Sequence, residues 1–420
     1  MLRINRTFVI AGIFAIVHLP LIAQNNTNSP YTRFGFGAIA DRSFGAGRSM
    51  GGVGYGFRSS QQINPMNPAS YSSIDTLTFM FDAGATIQLS LFSDEVNSHR
   101  NINGNLNYFA MQFPVTKKIA VSAGILPYSH VGYNFRDINE TDDISHLDIF
   151  SGKGGLNEVY VGLSIDIWKK RLSFGANAGY MFGNIDHNSS VTYTGTEQQI
   201  SNLYTMKKVN LHNLKYDFGV QYTHLLSKTE RMTFGLAYSP KVKLNSVSYD
   251  MISSDPYFQS NILKSDTLHN KGFHIPNTLG LGVSYVKDYK MILAADFSFQ
   301  DWSNALFFDE NKLFKNRIKA AVGGEYIPNS FTRAYLSRLK YRAGLNYSNS
   351  YLQINGAGYN EYGVCVGAGF PMLDNRSFIN ASFEYVKIIP GSKSLINEQY
   401  FRFTLSFTFN EMWFLKRKME

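Results

Sequence analysis

Apolar and polar residues alternate along most of the chain, from Thr76 to Asn410, in segments of about ten residues. A period of two residues is typical of a β-strand that has one apolar and one polar face. In the last such segment Thr404, Ser406, Thr408 and Asn410 alternate with Phe403, Leu405, Phe407 and Phe409. A soluble sandwich of two sheets alternates in the same way. Alternation therefore predicts an all-β protein and leaves its architecture open.

Composition and hydropathy favour a membrane barrel over a sandwich. Aromatic residues make up 15% of the chain and charged residues 17%, whereas soluble domains contain about 25% charged residues. After the first residues, the chain has no apolar run of the roughly 20 residues that a membrane-spanning helix needs. Many aromatic residues, few charges and no helical span are typical of an outer-membrane β-barrel.

Short and long connections alternate between the predicted strands, as periplasmic turns and external loops do in outer-membrane barrels. The short ones lie at 115–118, 168–171, 227–230, 287–290 and 372–375, and the long ones near 93–103, 136–154, 194–209, 252–272, 304–315, 355–359 and 390–397. Residues 328–338 are an exception, since this connection is long where a short one is expected. The spacing predicts about fourteen antiparallel strands, and twelve or sixteen remain open. An even number allows the sheet to close and removes edges that lipid does not tolerate.

A secretory signal peptide is predicted over residues 1–23. Arg3 and Arg6 give it a positive start, an apolar run follows, and a Leu-Ile-Ala tripeptide ends it. A membrane-anchoring helix is the alternative, but His18 and Pro20 interrupt the apolar run. We therefore expect an exported, multi-pass protein of the bacterial outer membrane.

Eight glycines lie between Gly35 and Gly56, before the first predicted strand. Glycine permits positive φ and close approach of the backbone, but it offers no side chain from which to build a core. Two Asn-Pro pairs follow and impose extended or turn geometry on the residue before each proline. We predict a plug held in the barrel lumen, with Asn67-Pro68-Ala69 setting where it enters the first strand. The predicted division is a signal peptide at 1–23, a Gly-rich segment and plug at 24–75, a barrel at 76–410 and a basic periplasmic tail at 411–420.

Charged residues on the polar faces of the strands are expected to point into the lumen. A Lys or Arg on the lipid face near the midplane would cost about 2–4 kcal/mol. The inward residues in question are Asp296, Lys319, Glu325, Arg342 and Glu384, and the arginines of the plug are Arg33, Arg42, Arg48 and Arg58. We expect these arginines to pair with lumenal carboxylates. The network has two interpretations: it fixes the plug in place, or its pairs rearrange to open a path.

No catalytic, cofactor or metal site is predicted. The glycine-rich run lacks the preceding strand, the following helix and the Lys-Ser/Thr ending of a phosphate-binding loop. The histidines are scattered, and Cys365 lies in a strand pattern as a packed thiol. Acidic residues cluster at 137–148, where a divalent cation or a solvated loop would both explain them. The formal charge of +9 is spread out, without the basic helix or stripe that nucleic-acid binding needs.

Four motifs resemble, in order and spacing, those of the FadL-type outer-membrane transporters of hydrophobic compounds. They are the Gly-rich segment ending in Asn67-Pro68-Ala69, Asp301-Trp302-Ser303, Gly324-Glu325-Tyr326 and the stretch from Tyr341 to Tyr347. Gln24 after the signal and the Trp-containing basic tail resemble the divergent Bacteroidota branch. The resemblance implies a fourteen-stranded monomeric barrel, a lumenal plug and diffusion of hydrophobic molecules to a lateral opening. No residues of an acyl pocket or of a kinked strand are identifiable.

Two functions follow from this pattern. The first is passive uptake or binding of hydrophobic small molecules such as fatty acids, gated by the plug. The second is a non-transporting structural or accessory subunit of a larger outer-membrane protein assembly. The long connection at 328–338 and the tail at 411–420 motivate the second, because they offer surfaces for envelope protein partners. Outer-membrane lipid is expected around the barrel in both cases.

Overall fold

A computed structural model describes residues 27–93, 98–140, 145–168, 171–194, 201–330, 332–354, 356–373, 375–393 and 395–412. The predicted signal peptide and all but the first two residues of the predicted tail lie outside these ranges. Among the described residues, helices are restricted to short turns, and none has the length and apolarity to cross a membrane.

The chain folds into a closed antiparallel barrel of fourteen strands, which confirms the predicted fold class. A two-residue strand, β1 (Ala38–Ile39), precedes the barrel. The barrel strands are β2 (Thr78–Ser93), β3 (Ser98–Pro114), β4 (Ile119–Glu140), β5 (Ser145–Trp168), β6 (Leu172–Thr194), β7 (Leu203–Leu225), β8 (Glu230–Ser239) with β9 (Val242–Ser253), β10 (Ile262–His269) with β11 (Phe273–Ile275) and β12 (Thr278–Lys287), β13 (Met291–Gln300), β14 (Arg317–Tyr326), β15 (Lys340–Asn349), β16 (Tyr359–Pro371), β17 (Phe378–Pro390) and β18 (Asn397–Met412).

Two of the fourteen strands are interrupted. β8 and β9 form one strand with a break at 240–241, and β10, β11 and β12 form the next strand with breaks at 270–272 and 276–277. The last strand, β18, pairs with β2 from Met412–Thr78 to Asn397–Ser93 and closes the barrel. It runs two residues past the predicted barrel boundary at 410.

Alternation separates an exposed, lipid-facing side from a buried, lumenal side in most barrel strands; β10, whose eight residues are all exposed, is an exception. In β5, Val159, Val161, Leu163 and Ile165 are exposed, whereas Glu158, Tyr160, Ser164 and Asp166 are buried. Because apolar residues occupy the outer face and polar ones the inner face, the barrel has the inverse arrangement of a soluble sandwich, as a membrane solvent requires.

The strands β4 to β7 contain 22–24 residues, whereas β13, β14 and β15 contain ten each. The difference of about 13 residues corresponds to roughly 40 Å along a strand. The predicted loop at 136–154 was therefore wrong: β4 continues to Glu140, and β5 begins at Ser145. Alternation is weak there because this part of the sheet extends past the membrane and neither face is uniformly apolar.

Residues 27–75, here called the lumenal segment, lie inside the barrel. They contain one helical turn, α1 (Gly45–Ser49), and two 3-10 turns, Pro30–Arg33 and Pro68–Ser73. The segment contacts strands on opposite sides of the barrel, since Thr32 hydrogen-bonds to Gly132 on β4 and Gly51 contacts Cys365 on β16. Two further 3-10 turns, Trp302–Asn304 and Tyr335–Arg338, lie in connections between strands. The second belongs to the long connection that the sequence marked as irregular.

Candidate functional site in the barrel lumen

A carboxylate on β13 anchors the glycine-rich part of the lumenal segment. Asp296 accepts hydrogen bonds from the backbone amides of Gly54 and Tyr55, at 2.5 and 2.7 Å, and a longer one of 3.5 Å from Gly56. Glycine is needed at position 56 because an added Cβ would lie 2.6 Å from the backbone of Val283. The density of glycine in this stretch therefore allows the backbone itself, rather than side chains, to contact the barrel wall.

Four charged side chains form a neutral cluster around Arg42. Its guanidinium lies 3.2 Å from Glu158 on β5 and 3.0 Å from Asp217 on β7. Lys215 contacts the same two carboxylates, at 3.5 and 2.5 Å. Glu158, Lys215 and Asp217 are almost completely buried. Removing one member would leave a buried charge without its partner, which typically costs 3–5 kcal/mol.

Arg58 makes the second attachment of the lumenal segment to the wall. Its guanidinium lies 3.2 Å from Asp166 on β5 and donates to Gln221 on β7. It also donates 2.8 and 3.1 Å hydrogen bonds to the Ala69 carbonyl and the Ser72 hydroxyl of its own segment. A single side chain thus connects two parts of the segment to two strands.

The other two predicted arginines pair differently. Arg33 lies over the Phe150 ring, with its guanidinium carbon 3.9 Å from the centroid. Neither Arg33 nor Arg48 has a carboxylate within 4.0 Å among the described residues. Nearby, Asp41 of the lumenal segment lies 3.1 Å from Lys319 on β14. Burial alone would raise the pKa of Asp41, but Lys319, Arg48 and hydrogen bonds from Ser43 together hold it below its usual range.

The remaining predicted charges pair within the wall. Arg342 on β15 donates a 2.7 Å hydrogen bond to Glu325 on β14, and Glu384 on β17 lies 3.3 Å from Arg402 on β18. The sequence prediction did not include Glu158, Asp166, Lys215 or Asp217, which are the charged partners in the Arg42 cluster and at Arg58. Those partners had a signal: Glu158, Asp166, Lys215 and Asp217 each alternate with apolar residues that face lipid.

The Asn67-Pro68-Ala69 turn lies against β6, β7 and β8 and not at the entry to the first barrel strand. The side-chain amide of Asn67 donates to the backbone carbonyls of Tyr55, Val220 and Leu236. Its side-chain oxygen accepts from the Ala69 amide and caps the following 3-10 turn. The turn lies very close to the wall. A Cβ added to Gly219 on β7 would lie only 2.1 Å from the side-chain oxygen of Asn67, so glycine is needed at position 219. β2 begins only at Thr78.

An aromatic cluster fills the lumen at the end of the barrel opposite the start of β2 and the end of β18. Trp302, completely buried, lies 4.4 Å from Tyr351 and 5.7 Å from Phe36 of the lumenal segment, measured between ring centroids. Phe307 and Phe314 pack against the same rings. Since the rings come from two connections and from the segment, they join the strand ends across the outer mouth of the barrel.

The barrel wall has a seam between β3 and β4. Backbone pairing of these strands covers only Phe109–Pro114 on β3 and 120–125 on β4. Past the end of this pairing, the lumenal segment pairs with β4 in place of β3. Ala38 lies opposite His130, and the backbone amide of Ala40 donates a 2.9 Å hydrogen bond to the backbone carbonyl of Tyr128. On the other side of the seam, the side-chain amide of Asn28 donates a hydrogen bond to the side-chain oxygen of Asn103 on β3. The segment therefore covers the seam from within.

Cavities beside the segment are lined by charged groups. One of about 150 Å³ lies next to the seam and is lined by Arg48, Arg317, Lys319, Arg402, Glu361 and Glu384, among others. Another of about 90 Å³ lies at the Arg42 cluster. Within the described part of the chain, no group of three or more His, Cys, Asp and Glu residues could hold a metal ion. The acidic residues predicted as an alternative cation site lie partly at 141–144, outside the described residues.

Comparison with solved structures identifies the fold. The monoaromatic hydrocarbon channel CymD is 15% identical with a TM-score of 0.59, over 88% of this chain and 98% of that one. A Pseudomonas aeruginosa FadL homologue is 15% identical with a TM-score of 0.58, over 89% and 99%. The Ralstonia pickettii toluene transporter TbuX is 14% identical with a TM-score of 0.57, over 88% and 98%. At these identities the likeness shows a common fold: a multi-pass barrel of the bacterial outer membrane.

No curated protein matches the chain. The family model described as BamG matches residues 4–420, which is almost the entire sequence. The match spans the lumenal segment and all fourteen barrel strands, so it is a match to the complete architecture and not to one motif. The chain belongs to the BamG family.

Proposed function

We propose that this barrel is a structural or accessory subunit of a larger outer-membrane protein assembly. The observation that carries the proposal is the packing of the lumen: Arg42 and Arg58 are fixed in buried ion pairs, and Trp302 lies in a buried aromatic cluster across the outer mouth. A route through this lumen requires separation of buried charge pairs, at about 3–5 kcal/mol for each partner lost. Such packing supports a rigid body better than a conduit.

The asymmetry of the wall supports the same proposal. The strands β4 to β7 extend beyond the shorter strands and build a sheet above the membrane on one side only. Such a sheet contributes nothing to crossing the bilayer, because about 9–11 residues per strand suffice for that. It offers a large surface for a partner protein.

A second candidate function is passage or binding of hydrophobic small molecules, with the lumenal segment as gate. The specific observation in its favour is the seam between β3 and β4, which the segment covers through Ala38, Ala40 and Asn28. Displacing these contacts would open the wall sideways to lipid. CymD and TbuX, which share the fold, are named as a hydrocarbon channel and a toluene transporter.

One purification distinguishes the two candidates. The protein is extracted in mild detergent, and everything bound to it is identified by mass spectrometry and sized by light scattering. Envelope proteins in fixed stoichiometry would support the subunit. A monomer with stoichiometric lipid or fatty acid, together with protein-dependent uptake of a hydrophobic solute into liposomes, would overturn it in favour of transport. Truncation after Met412 tests the tail, because this residue still pairs with Thr78 in the barrel.

A further inference from the structure

The two ends of the barrel carry opposite charge. The six connections at the end where β2 begins and β18 ends contain ten Lys and Arg residues and two acidic ones. The seven connections at the other end contain three basic and nine acidic residues. Short turns and the end of the last strand, β18, mark the first end as periplasmic. The periplasmic end is therefore strongly basic, and the formal net charge of the whole chain does not reveal this polarity.

A cavity of about 340 Å³ opens at this basic end, inside the barrel mouth. Five basic side chains and one acidic side chain line it: Arg58, Arg231, Arg338, Lys340, Arg342 and Glu325. Two of the cations are already paired, since Arg58 contacts Asp166 and Arg342 contacts Glu325.

The other three cations have no carboxylate within 4.0 Å among the described residues. Arg338 donates to the Asn375 side chain at 3.0 Å, and its buried Nε has no hydrogen-bond partner there. Lys340 donates to Gln61 at 2.7 Å and lies 3.9 Å from the Phe378 ring centroid. The Arg231 guanidinium lies 5.6 Å from the Tyr289 ring. All three retain donors for an anion.

The cavity wall is also partly apolar. Phe57, Tyr289, Ile327 and Phe378 line it between the cations. Each of the three cations lies near one aromatic ring. Cations beside apolar rings suit a ligand that presents carboxylates beside apolar groups, and Arg is well shaped to bind a carboxylate through two parallel hydrogen bonds. A volume of this size accommodates a few side chains and not a folded domain.

We propose that this cavity, the periplasmic cationic mouth, binds a short acidic segment of a partner protein. A lipid headgroup is disfavoured because the cavity lies among inward-facing residues, such as Asn380 and Thr408, while the bilayer surrounds the outward face. The basic turns around the mouth would steer an acidic chain towards it. The proposal rests on the proposed function, for which it defines the chemistry of one partner.

The test uses the purified full-length protein in detergent and a fluorescein-labelled Gly-Glu-Glu-Phe-Glu-Glu-Gly peptide, with a Gln-for-Glu version as control probe. Fluorescence anisotropy gives the dissociation constants. We expect the Glu peptide to bind at least about tenfold more tightly than the Gln peptide, and R231Q/R338Q to remove most of that difference. The matched control is K312Q/K393Q, which removes the same charge from exposed connections at the opposite end of the barrel.

Equal binding of the two peptides, or equal loss in both double variants, would overturn the proposal. Displacement of the peptide by inorganic phosphate or by phosphatidylglycerol vesicles at matched charge concentration would replace it with a general anion site or a lipid site. Thermal unfolding of each variant verifies that the barrel is intact. A barrel that copurifies with envelope proteins but fails this test would retain the proposed function and reject only the cationic mouth.

Discussion

Asp296 on β13 holds the backbone amides of Gly54 and Tyr55 at 2.5 and 2.7 Å. The carboxylate lies on the barrel wall, and the two amides belong to the lumenal segment, more than 20 residues before the first barrel strand begins at Thr78. Few glycine-rich stretches have a fixed conformation by themselves, because each residue loses much backbone entropy on ordering. The wall therefore imposes the conformation of the segment.

Asp296→Ala is expected to loosen the lumenal segment while the barrel remains closed. Hydrogen bonds to a charged group contribute about 1.5–3 kcal/mol each, so the free energy of unfolding should fall by roughly 3 kcal/mol. Urea unfolding in detergent, followed by tryptophan fluorescence, measures the change. Asp266→Ala is the matched control, because Asp266 is half-exposed in a surface pair with Lys264 and should change stability by less than about 1 kcal/mol. Equal effects of the two substitutions would refute the anchoring role of Asp296.

Gly37→Ala should detach the lumenal segment from the seam. Gly37 has φ +83°, and a Cβ there would lie 2.3 Å from the carbonyl oxygen of His130 on β4. A non-glycine residue in this conformation costs about 1–2 kcal/mol before the clash is counted. Hydrogen exchange of the amides of Ala38 to Ala40 should accelerate. Gly104→Ala, on the β3 side of the seam, is the control, since a Cβ there meets no atom within 4 Å; unchanged exchange in Gly37→Ala would contradict the prediction.

Trp302→Ala should open the outer mouth. Removing a large buried aromatic side chain typically costs about 3–5 kcal/mol, and the gap adjoins the rings of Phe36 and Tyr351. We expect lower thermal stability and the appearance of ion conductance in planar bilayers. Phe383→Ala removes an aromatic ring from the lipid-facing surface and should leave conductance at the background level. A Trp302 variant without conductance would mean that the segment alone closes the lumen.

Cys365 reports whether the lumenal segment is in place. Its thiol is buried, and the Gly51 amide lies 2.9 Å from its sulfur. Maleimide labelling of the folded protein should be more than about a hundredfold slower than that of the unfolded chain, because the thiol reacts only after the segment moves. Arg58→Ala, which removes the ion pair with Asp166, should accelerate labelling without unfolding the barrel. Fast labelling of the unmodified folded protein would contradict a stably seated segment.

The local sequence determined the barrel. Alternation at a period of two, the spacing of turns and the shortage of charge predicted a barrel of about fourteen strands, with twelve or sixteen left open, and an apolar and a polar face on its clearest strands. The pattern is local because the bilayer supplies the same apolar solvent to every strand, so each outward residue is constrained independently of the others. Alternation failed beyond the membrane, at 136–154, where that solvent no longer acts and β4 and β5 continue as an ordinary sheet.

The tertiary structure alone decided which charges meet. Arg42 pairs with Glu158 and Asp217, which lie 116 and 175 residues later in the chain, and Arg33 rests on an aromatic ring instead of a carboxylate. The covered seam between β3 and β4, the aromatic closure around Trp302 and the cationic mouth depend in the same way on contacts across the barrel. Alternation shows that a residue faces the lumen, but only closure of the sheet brings residues from distant strands within 4 Å of each other.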